Sequence, residues 1–277
     1  MSRFIFYIFM NTIRKRPIGI FDSGIGGLTV AKSVFNLLPN EDVIYLGDTA
    51  RLPYGTKSKE TVILYSIESL KFLLSKKVKM VIVACNTASS VAVPFLQKIS
   101  KIPIIGVIAP GSKAASEKTK NARIGVIGTN GTVKSKAYIK EIKKNKKDVE
   151  IFSQPCSLFV QLAEDGWTDN EIALLTARKY LQPLKDKKVD TLILGCTHYP
   201  ILKSTIRKAI GDKISLIDSG EETAKEVVKI LDKENLLSLR KRKGEHKFFF
   251  TDLPDNYRLI IERFLGRKIS NVKKVRI

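Results

Sequence analysis

Short runs of apolar and β-branched residues alternate along the chain with longer segments of helical periodicity. Each run is followed by a polar or glycine-rich turn, as expected for buried strands that lead into helices. The predicted strands are Ile18–Phe21, Val43–Leu46, the run within Met80–Ala88 (MVIVACNTA), Ile104–Ile108, Ile124–Ile127, Val149–Phe152, the run within Asp190–Pro200 (DTLILGCTHYP) and Ile214–Ile217. Strands that alternate with helices in this way are typical of α/β proteins with parallel sheets.

The pattern repeats once within the chain. The strand at Ile18–Phe21 is echoed 106 residues later at Ile124–Ile127, and Cys85 is echoed 111 residues later by Cys196. Similar spacings indicate an internal duplication. The sequence therefore predicts two pseudo-symmetric α/β domains with mainly parallel central sheets and an active site in the cleft between them.

Both cysteines follow predicted strands, at points where helices are expected to begin. Ligands of parallel sheets bind beyond the carboxyl ends of the strands, and a helix N-terminus stabilises a thiolate. Thr87 or Asn86 is predicted to cap a helix at about Ser89–Lys98. A single cysteine in this context is more often inert core, but two at matching positions argue for chemistry.

Two thiols that face each other across a polar pocket suit the transfer of a proton from one face of a carbon atom to the other. The ordinary pKa of a thiol, about 8.5, fits it for both acid and base roles. His198 is expected to transfer protons or to tune Cys196. Asp22 is expected to orient or assist Cys85, or, with Ser23, to cap the following helix.

Composition narrows the function further. Three cysteines without a CxxC motif favour reduced thiols in the cytoplasm and argue against disulfides or a metal site, and Cys156 is predicted to be structural. The net charge is +22, but no nucleic-acid motif accompanies it, so we expect only weak, non-specific binding to nucleic acid. The apolar run Phe4–Met10 is too short to span a membrane, and translation is expected to start at Met1 or Met10.

The glycine-rich turn after the first strand does not match a nucleotide-binding motif. GxGxxG would need glycine at Thr29, and no P-loop occurs. A tight turn that binds a small anion is the better interpretation.

Together these segments resemble the glutamate racemases, amino-acid racemases that use no cofactor. The resemblance covers residues 17 to about 224. It rests on the ordered blocks FDSGIGGLTV, YLGDTARLPYGTKS, VACNTASSVA, IIGVIAPG, IGVIGTNGTVKSKAY, LFVQLAEDG and LGCTHYPIL. Ser157, the N-terminal extension and the long basic tail depart from the family pattern.

The resemblance implies that Cys85 and Cys196 transfer the proton, the first acting on D-glutamate and the second on L-glutamate, with Asp22 and His198 as further catalytic residues. The residues that it implies for substrate binding are Asp22, Ser23, Tyr54, Gly55, Asn86, Thr87, Thr197 and His198. Glu164 would lie near the site, and Thr129 or Thr132 would also contact the substrate.

The resemblance also implies the domain limits and the biological role. Residues 1–16 would be an extension, residues 17–100 plus about 217–277 the first domain with a returning C-terminal segment, and residues 101–216 the second. A cytoplasmic homodimer without cofactor or metal would interconvert L- and D-glutamate and supply D-glutamate for peptidoglycan. Two alternatives remain open: an aspartate racemase of the same fold, and a basic nucleic-acid-binding protein with a vestigial site.

Overall fold

The computed structural model describes residues 10–254 and 257–277. Residues 10–14 are helical, and the remainder of the apolar N-terminal run lies outside the described residues. Ten strands follow in the described chain: β1 (Ile18–Asp22), β2 (Val43–Gly47), β3 (Met80–Val83), β4 (Ile104–Gly106), β5 (Arg123–Gly128), β6 (Glu150–Pro155), β7 (Thr191–Gly195), β8 (Ser215–Asp218), β9 (His246–Phe250) and β10 (Val272–Lys274).

Helices connect these strands. The α-helices are Leu28–Leu37, Lys59–Ser75, Asn86–Val91, Val93–Ile99, Ile108–Lys118, Asn130–Ser135, Ala137–Asn145, Leu158–Asp165, Glu171–Asp186, Lys203–Ile210, Ser219–Lys233 and Tyr257–Leu265, and 3-10 turns span Tyr54–Thr56 and Tyr199–Leu202. Within the described residues, no helix is both long and apolar enough to cross a membrane.

The strands form two sheets in which the paired strands run parallel. The first has the order β10-β9-β2-β1-β3-β4 and the second the order β6-β5-β7-β8. The order β2-β1-β3-β4 is therefore repeated as β6-β5-β7-β8, which makes β3 and β7 equivalent. The α/β fold with two parallel sheets is as predicted, and all residues of β1, β2, β3 and β7 are buried, as is typical of parallel strands covered on both faces.

The first sheet extends past the predicted end of the first domain at residue 100. Strand β4 pairs with β3, so the predicted start of the second domain at residue 101 is too early. Strand β4 also ends at Gly106 rather than Ile108, because the N–H of Val107 donates to Ser89 Oγ (3.2 Å) and the chain turns into the next helix.

The predicted helix at about Ser89–Lys98 is two helices, Asn86–Val91 and Val93–Ile99. Pro94 lies in the first turn of the second, a position that tolerates its missing N–H. The two helices meet at Ala92, and the short first helix alone carries the residues next to Cys85.

The C-terminal segment returns to the first sheet, where β9 pairs with β2 and β10 pairs with β9. At the other end of the strands, the ammonium of Lys79 is buried. It pairs with the Glu41 carboxylate and donates to the carbonyls of Arg14 (2.9 Å) and Leu236 (2.8 Å). This contact joins the N-terminal segment, β3 and the connection that leads to β9.

Candidate active site

A small cavity of about 50 Å³ lies between the carboxyl ends of the two sheets. Its lining residues are Ser23, Pro53, Tyr54, Gly55, Cys85, Asn86, Thr87, Thr129, Val160, Cys196, Thr197 and His198. All of the predicted site residues except Asp22 line this cavity. The two cysteines come from the equivalent ends of β3 and β7.

Cys85 is itself the N-cap of helix Asn86–Val91. Its Sγ accepts the N–H of Ala88 at 3.5 Å, so the predicted cap at Thr87 or Asn86 is wrong. Burial, followed by the nearby Asp22 carboxylate, raises the pKa of Cys85 to about 12, although hydrogen bonds from Ser23 and Ala88 oppose the shift. Cys85 is therefore a thiol at neutral pH.

Asp22 lies behind the cavity wall and is completely buried. Its carboxylate accepts hydrogen bonds from the Gly24 N–H (2.9 Å), the Ser23 hydroxyl (3.3 Å) and, across the cleft, the Thr197 hydroxyl (3.3 Å). Burial raises the pKa of Asp22, and the charge of His198 and these hydrogen bonds oppose the rise. The carboxylate thus joins the two domains directly beside the thiol of Cys85.

Neither Asp22 nor Ser23 caps the following helix. The N-cap of helix Leu28–Leu37 is Gly27, without a side-chain cap, so that alternative is wrong. A Cβ at Gly27 would lie 2.5 Å from the Asp22 Cβ, and the glycine lets the helix start against the carboxylate.

His198 bridges the second cysteine and a carboxylate. Its Nδ1 is 3.8 Å from Cys196 Sγ and its Nε2 is 2.9 Å from Glu164 Oε1. Burial alone would lower the pKa of His198, but the hydrogen bonds and negative charges of Cys196 and Glu164 outweigh it and raise the pKa to about 10. Only an imidazolium can donate to both partners, so both ring nitrogens carry a proton in this arrangement.

Polar groups behind the cavity orient the side chains that line it. Tyr138 donates its hydroxyl to Asn86 Oδ1 (2.7 Å), which leaves the two N–H donors of that amide for another acceptor. The hydroxyl of Thr87 lies 3.0 Å from that of Thr129 and 3.3 Å from that of Thr132. These groups give one wall of the cavity several donors for an anion.

Tyr54 lines the cavity, but its hydroxyl is engaged elsewhere. It donates to the buried carboxylate of Asp48, which also pairs with Arg51 and accepts from the hydroxyl of Thr251 (2.9 Å). The hydroxyl is thus unavailable to a ligand while this bond holds. Asp48 thereby holds in place the loop that carries Arg51 and Tyr54.

Glycines bring the two domains close around the site. A Cβ at Gly26 would lie 2.3 Å from Thr197 Oγ1 and 2.5 Å from the His198 ring, and one at Gly131 would lie 2.9 Å from the Gly55 carbonyl oxygen. The resulting cavity of about 50 Å³ has room for only a few water molecules, whereas small-molecule sites usually measure about 300–1,000 Å³. An amino acid can therefore enter only if the cleft opens.

Three supporting residues were missed in the sequence analysis. Tyr138 and Ser219, whose hydroxyls lie 2.8 Å apart, carry no sequence signal that links them to Asn86. Asp48 does have one, because it follows a predicted strand just as Asp22 does.

Comparisons with known proteins identify a matching family. Residues 22–227 match the model of the Asp/Glu/Hydantoin racemase family. A glutamate racemase of Geobacter metallireducens is 52% identical over 260 residues, which cover 94% of this chain and 96% of that protein.

Solved structures match over nearly the whole chain. The glutamate racemase of Francisella tularensis, solved in complex with D-glutamate, has a TM-score of 0.89 and 42% identity, covering 95% of this chain and 98% of that one. A glutamate racemase isoform of Bacillus anthracis has a TM-score of 0.92 and 39% identity with the same coverage.

Proposed function

The chain belongs to the Asp/Glu/Hydantoin racemase family, and from that premise we propose that it interconverts L-glutamate and D-glutamate by two-thiol proton transfer at Cα. The observation that carries the proposal is the placement of Cys85 and Cys196 on one cavity, at equivalent ends of β3 and β7. The similarity to proteins named glutamate racemase, one of them bound to D-glutamate, supports the choice of substrate.

In the direction from L- to D-glutamate, the Cys196 thiolate removes the Cα proton. The Cα–H electron pair passes into the adjacent carboxyl group, and the Cys85 thiol then delivers its proton to the opposite face of Cα. Cys196 ends as a thiol and Cys85 as a thiolate, which is the state needed for the reverse reaction. The thiol at Cys85 and the imidazolium at His198 described above are the forms that this direction requires.

The charged groups of glutamate have matching partners around the cavity. The amide of Asn86, the hydroxyls of Thr87 and Thr129 and the backbone N–H groups of the adjoining turns bind the carboxylates, and Asp22 attracts the ammonium group. Burial is the main cause of the raised pKa of Cys85, and the substrate ammonium offsets the second cause, the charge of Asp22. Substrate binding therefore makes the Cys85 thiolate accessible when the reaction runs from D- to L-glutamate.

We further propose that the enzyme needs no cofactor or metal, works in the cytoplasm and supplies D-glutamate for peptidoglycan. Two thiols with an aligned imidazolium and carboxylate already provide the acid, the base and the charge that a racemisation requires.

A comparison of kcat/KM for L-glutamate and L-aspartate, without added cofactor, tests the proposal. One methylene group is worth about 10- to 200-fold in discrimination, so we expect glutamate to be preferred within that range. A higher kcat/KM for aspartate would make the chain an aspartate racemase. Absence of turnover with both amino acids would overturn the proposal.

A further inference from the structure

The pair formed by Glu164 and His198 contacts a helix from the far end of the chain. Arg263, in helix Tyr257–Leu265, donates from Nη1 to the backbone carbonyl of Glu164 at 2.7 Å. The next residue, Phe264, is completely buried and meets the His198 ring edge-on, with 5.3 Å between ring centroids and 80° between planes. One helix thus touches both members of the pair.

Arg263 contacts the C-terminal end of a helix. Glu164 lies in the last turn of helix Leu158–Asp165, where carbonyl groups lack partners within the helix. A cation satisfies them and complements the helix dipole. Gly166 ends this helix at φ +79°, and a Cβ there would lie 2.6 Å from the Arg263 Cζ, so the guanidinium lies directly against the helix end.

The contact between Arg263 and Glu164 joins segments that are connected to different sheets. Helix Tyr257–Leu265 lies between β9 and β10, which belong to the first sheet, whereas Glu164 and His198 follow strands of the second. The helix also packs on helix Leu28–Leu37 of the first domain. A helix between two strands of the first sheet therefore holds the backbone of Glu164, whose carboxylate bonds the His198 imidazole.

We propose that Arg263 is a positioning residue, which, with Phe264, holds Glu164 and His198 in line with Cys196. The proposal rests on the proposed function and extends it, since it gives helix Tyr257–Leu265 a role in proton transfer at Cys196. Loss of the Arg263 guanidinium should slow proton transfer at Cys196 and leave proton transfer at Cys85 unchanged.

Isotope effects separate this role from general damage. Because L- and D-glutamate are mirror images, their equilibrium constant is one, and kcat/KM must fall equally in both directions. If the Cys196 step alone is slowed, the α-deuterium isotope effect on kcat/KM rises with L-glutamate and falls towards unity with D-glutamate. A smaller folded fraction would change neither isotope effect.

The variants are Arg263→Met, Arg263→Lys and, as the matched control, Arg258→Met. The Arg258 side chain is on the same helix, is 73% exposed and pairs with Glu262 on that helix. We expect Arg263→Met to lower kcat/KM on the order of 10-fold with the opposed isotope effects, and Phe264→Leu to shift them in the same sense. Arg263→Lys, which keeps the cation, should recover part of the loss. Equal kcat/KM in Arg263→Met and the control, or unchanged isotope effects, would overturn the proposal.

A second measurement does not depend on turnover. The chain has two histidines, His198 and His246, so NMR of nitrogen-labelled histidine resolves the imidazole of His198 once His246→Gln has assigned the other. The charged groups facing His198 are Cys196, Glu164 and, across the cleft, Asp22.

In Arg263→Met, removal of a cation would by itself raise the pKa of His198, whereas displacement of Glu164 would lower it. We expect the pKa to fall relative to wild type and Arg258→Met. An unchanged or raised pKa would contradict the proposal even if the wild type does not racemise glutamate, so the two failures are distinguishable.

Discussion

Burial and neighbouring charge set the protonation of the individual side chains around the cavity. Burial, reinforced by Asp22, raises the pKa of Cys85 to about 12, so the thiol persists at neutral pH. At His198, Cys196 and Glu164 outweigh the opposing effect of burial and raise the pKa to about 10. A protonated thiol therefore lies on one side of the cavity and an imidazolium on the other.

The raised pKa of His198 predicts a loss of activity in alkali. His198 is protonated below about pH 10, so kcat/KM for L-glutamate should fall as the pH rises through this value. The pair of the His198 imidazolium and Glu164 also contributes to folding stability. This contribution is complete below pH 6.5 and is lost as the pH rises through about 10. The measurement is a profile of kcat/KM from pH 7 to about 11, with a separate check that the protein stays folded.

Two variants test whether deprotonation of His198 causes this loss of activity. His198→Gln should be slow throughout and should lose the part of the alkaline decline that His198 causes, so that only the decline from deprotonation of the substrate ammonium group remains. His246→Gln should keep the wild-type profile, because burial and then Arg267 lower the pKa of His246 to about 4. A wild-type profile without a decline, or the same decline in His198→Gln, would contradict the assignment.

Most of the cavity residues could be predicted from the sequence because they follow the ends of predicted strands. Ser23, Asn86 and Thr197 each follow an apolar run, and all line the cavity. The cap formed by Cys85 Sγ was not predictable, because the preferred capping residues are hydroxyl, amide and carboxylate side chains. The bond between Tyr54 and Asp48 also required the folded loop, since nothing in the local sequence pairs them.

At the scale of elements, glycine determines how closely the two halves of the site approach. The turn after β1 contacts the turn after β7 through Gly26, against Thr197 and His198. The second half of the glycine-rich turn therefore lets the two sides of the cleft lie close together. A side chain at this position would separate the elements that carry the two thiols.

Gly26→Ala should therefore damage activity far more than stability. The added Cβ would lie 2.3 Å from Thr197 Oγ1, and misplacement of reacting groups by about 1 Å can cost on the order of 100-fold in rate. Gly24→Ala is the matched control in the same turn, because its Cβ would meet only the end of the Leu52 side chain, at 3.3 Å. Equal kcat/KM in the two variants would contradict this account of the turn.

The elements themselves were largely predictable, and their ends less so. Apolar runs located β1–β8, but the break between the two short helices at Ala92 was missed although Pro94 lies in the first turn of the second. The turn after Gly106 depends on the Ser89 hydroxyl, a tertiary contact between segments that sequence periodicity treats separately.

For the whole molecule, the repeated strand order explains how one duplication creates a site with two equivalent thiols. The duplication was visible as an echo in the sequence, whereas the partners of β9 and β10 were not, because a short apolar run does not specify its neighbour. The limits of the two domains, apart from the corrected boundary at β4, stay a prediction. So do the homodimer and the weak, non-specific binding to nucleic acid.

Breaking the buried pair of Lys79 and Glu41 should lower global stability strongly, because the remaining charge would be buried without a partner. Removal of one partner from a buried ion pair costs about 3–5 kcal/mol, so Glu41→Gln should lower the free energy of unfolding by about that amount in a urea titration. Glu141→Gln is the control. It removes an exposed pair with Lys144 and should cost less than about 1 kcal/mol. Equal losses in the two variants would refute the stabilising role of the buried contact.

The most direct test of the two-thiol mechanism is incubation with L-glutamate in D₂O, without added cofactor, while optical activity and deuterium at Cα are followed. The wild type should lose optical activity and incorporate one deuterium. Cys85→Ala and Cys196→Ala should each lower the racemisation rate by about 100-fold or more. Cys156→Ala, which removes the remaining thiol, should stay active. Racemisation at the wild-type rate by either Cys85→Ala or Cys196→Ala would contradict the mechanism.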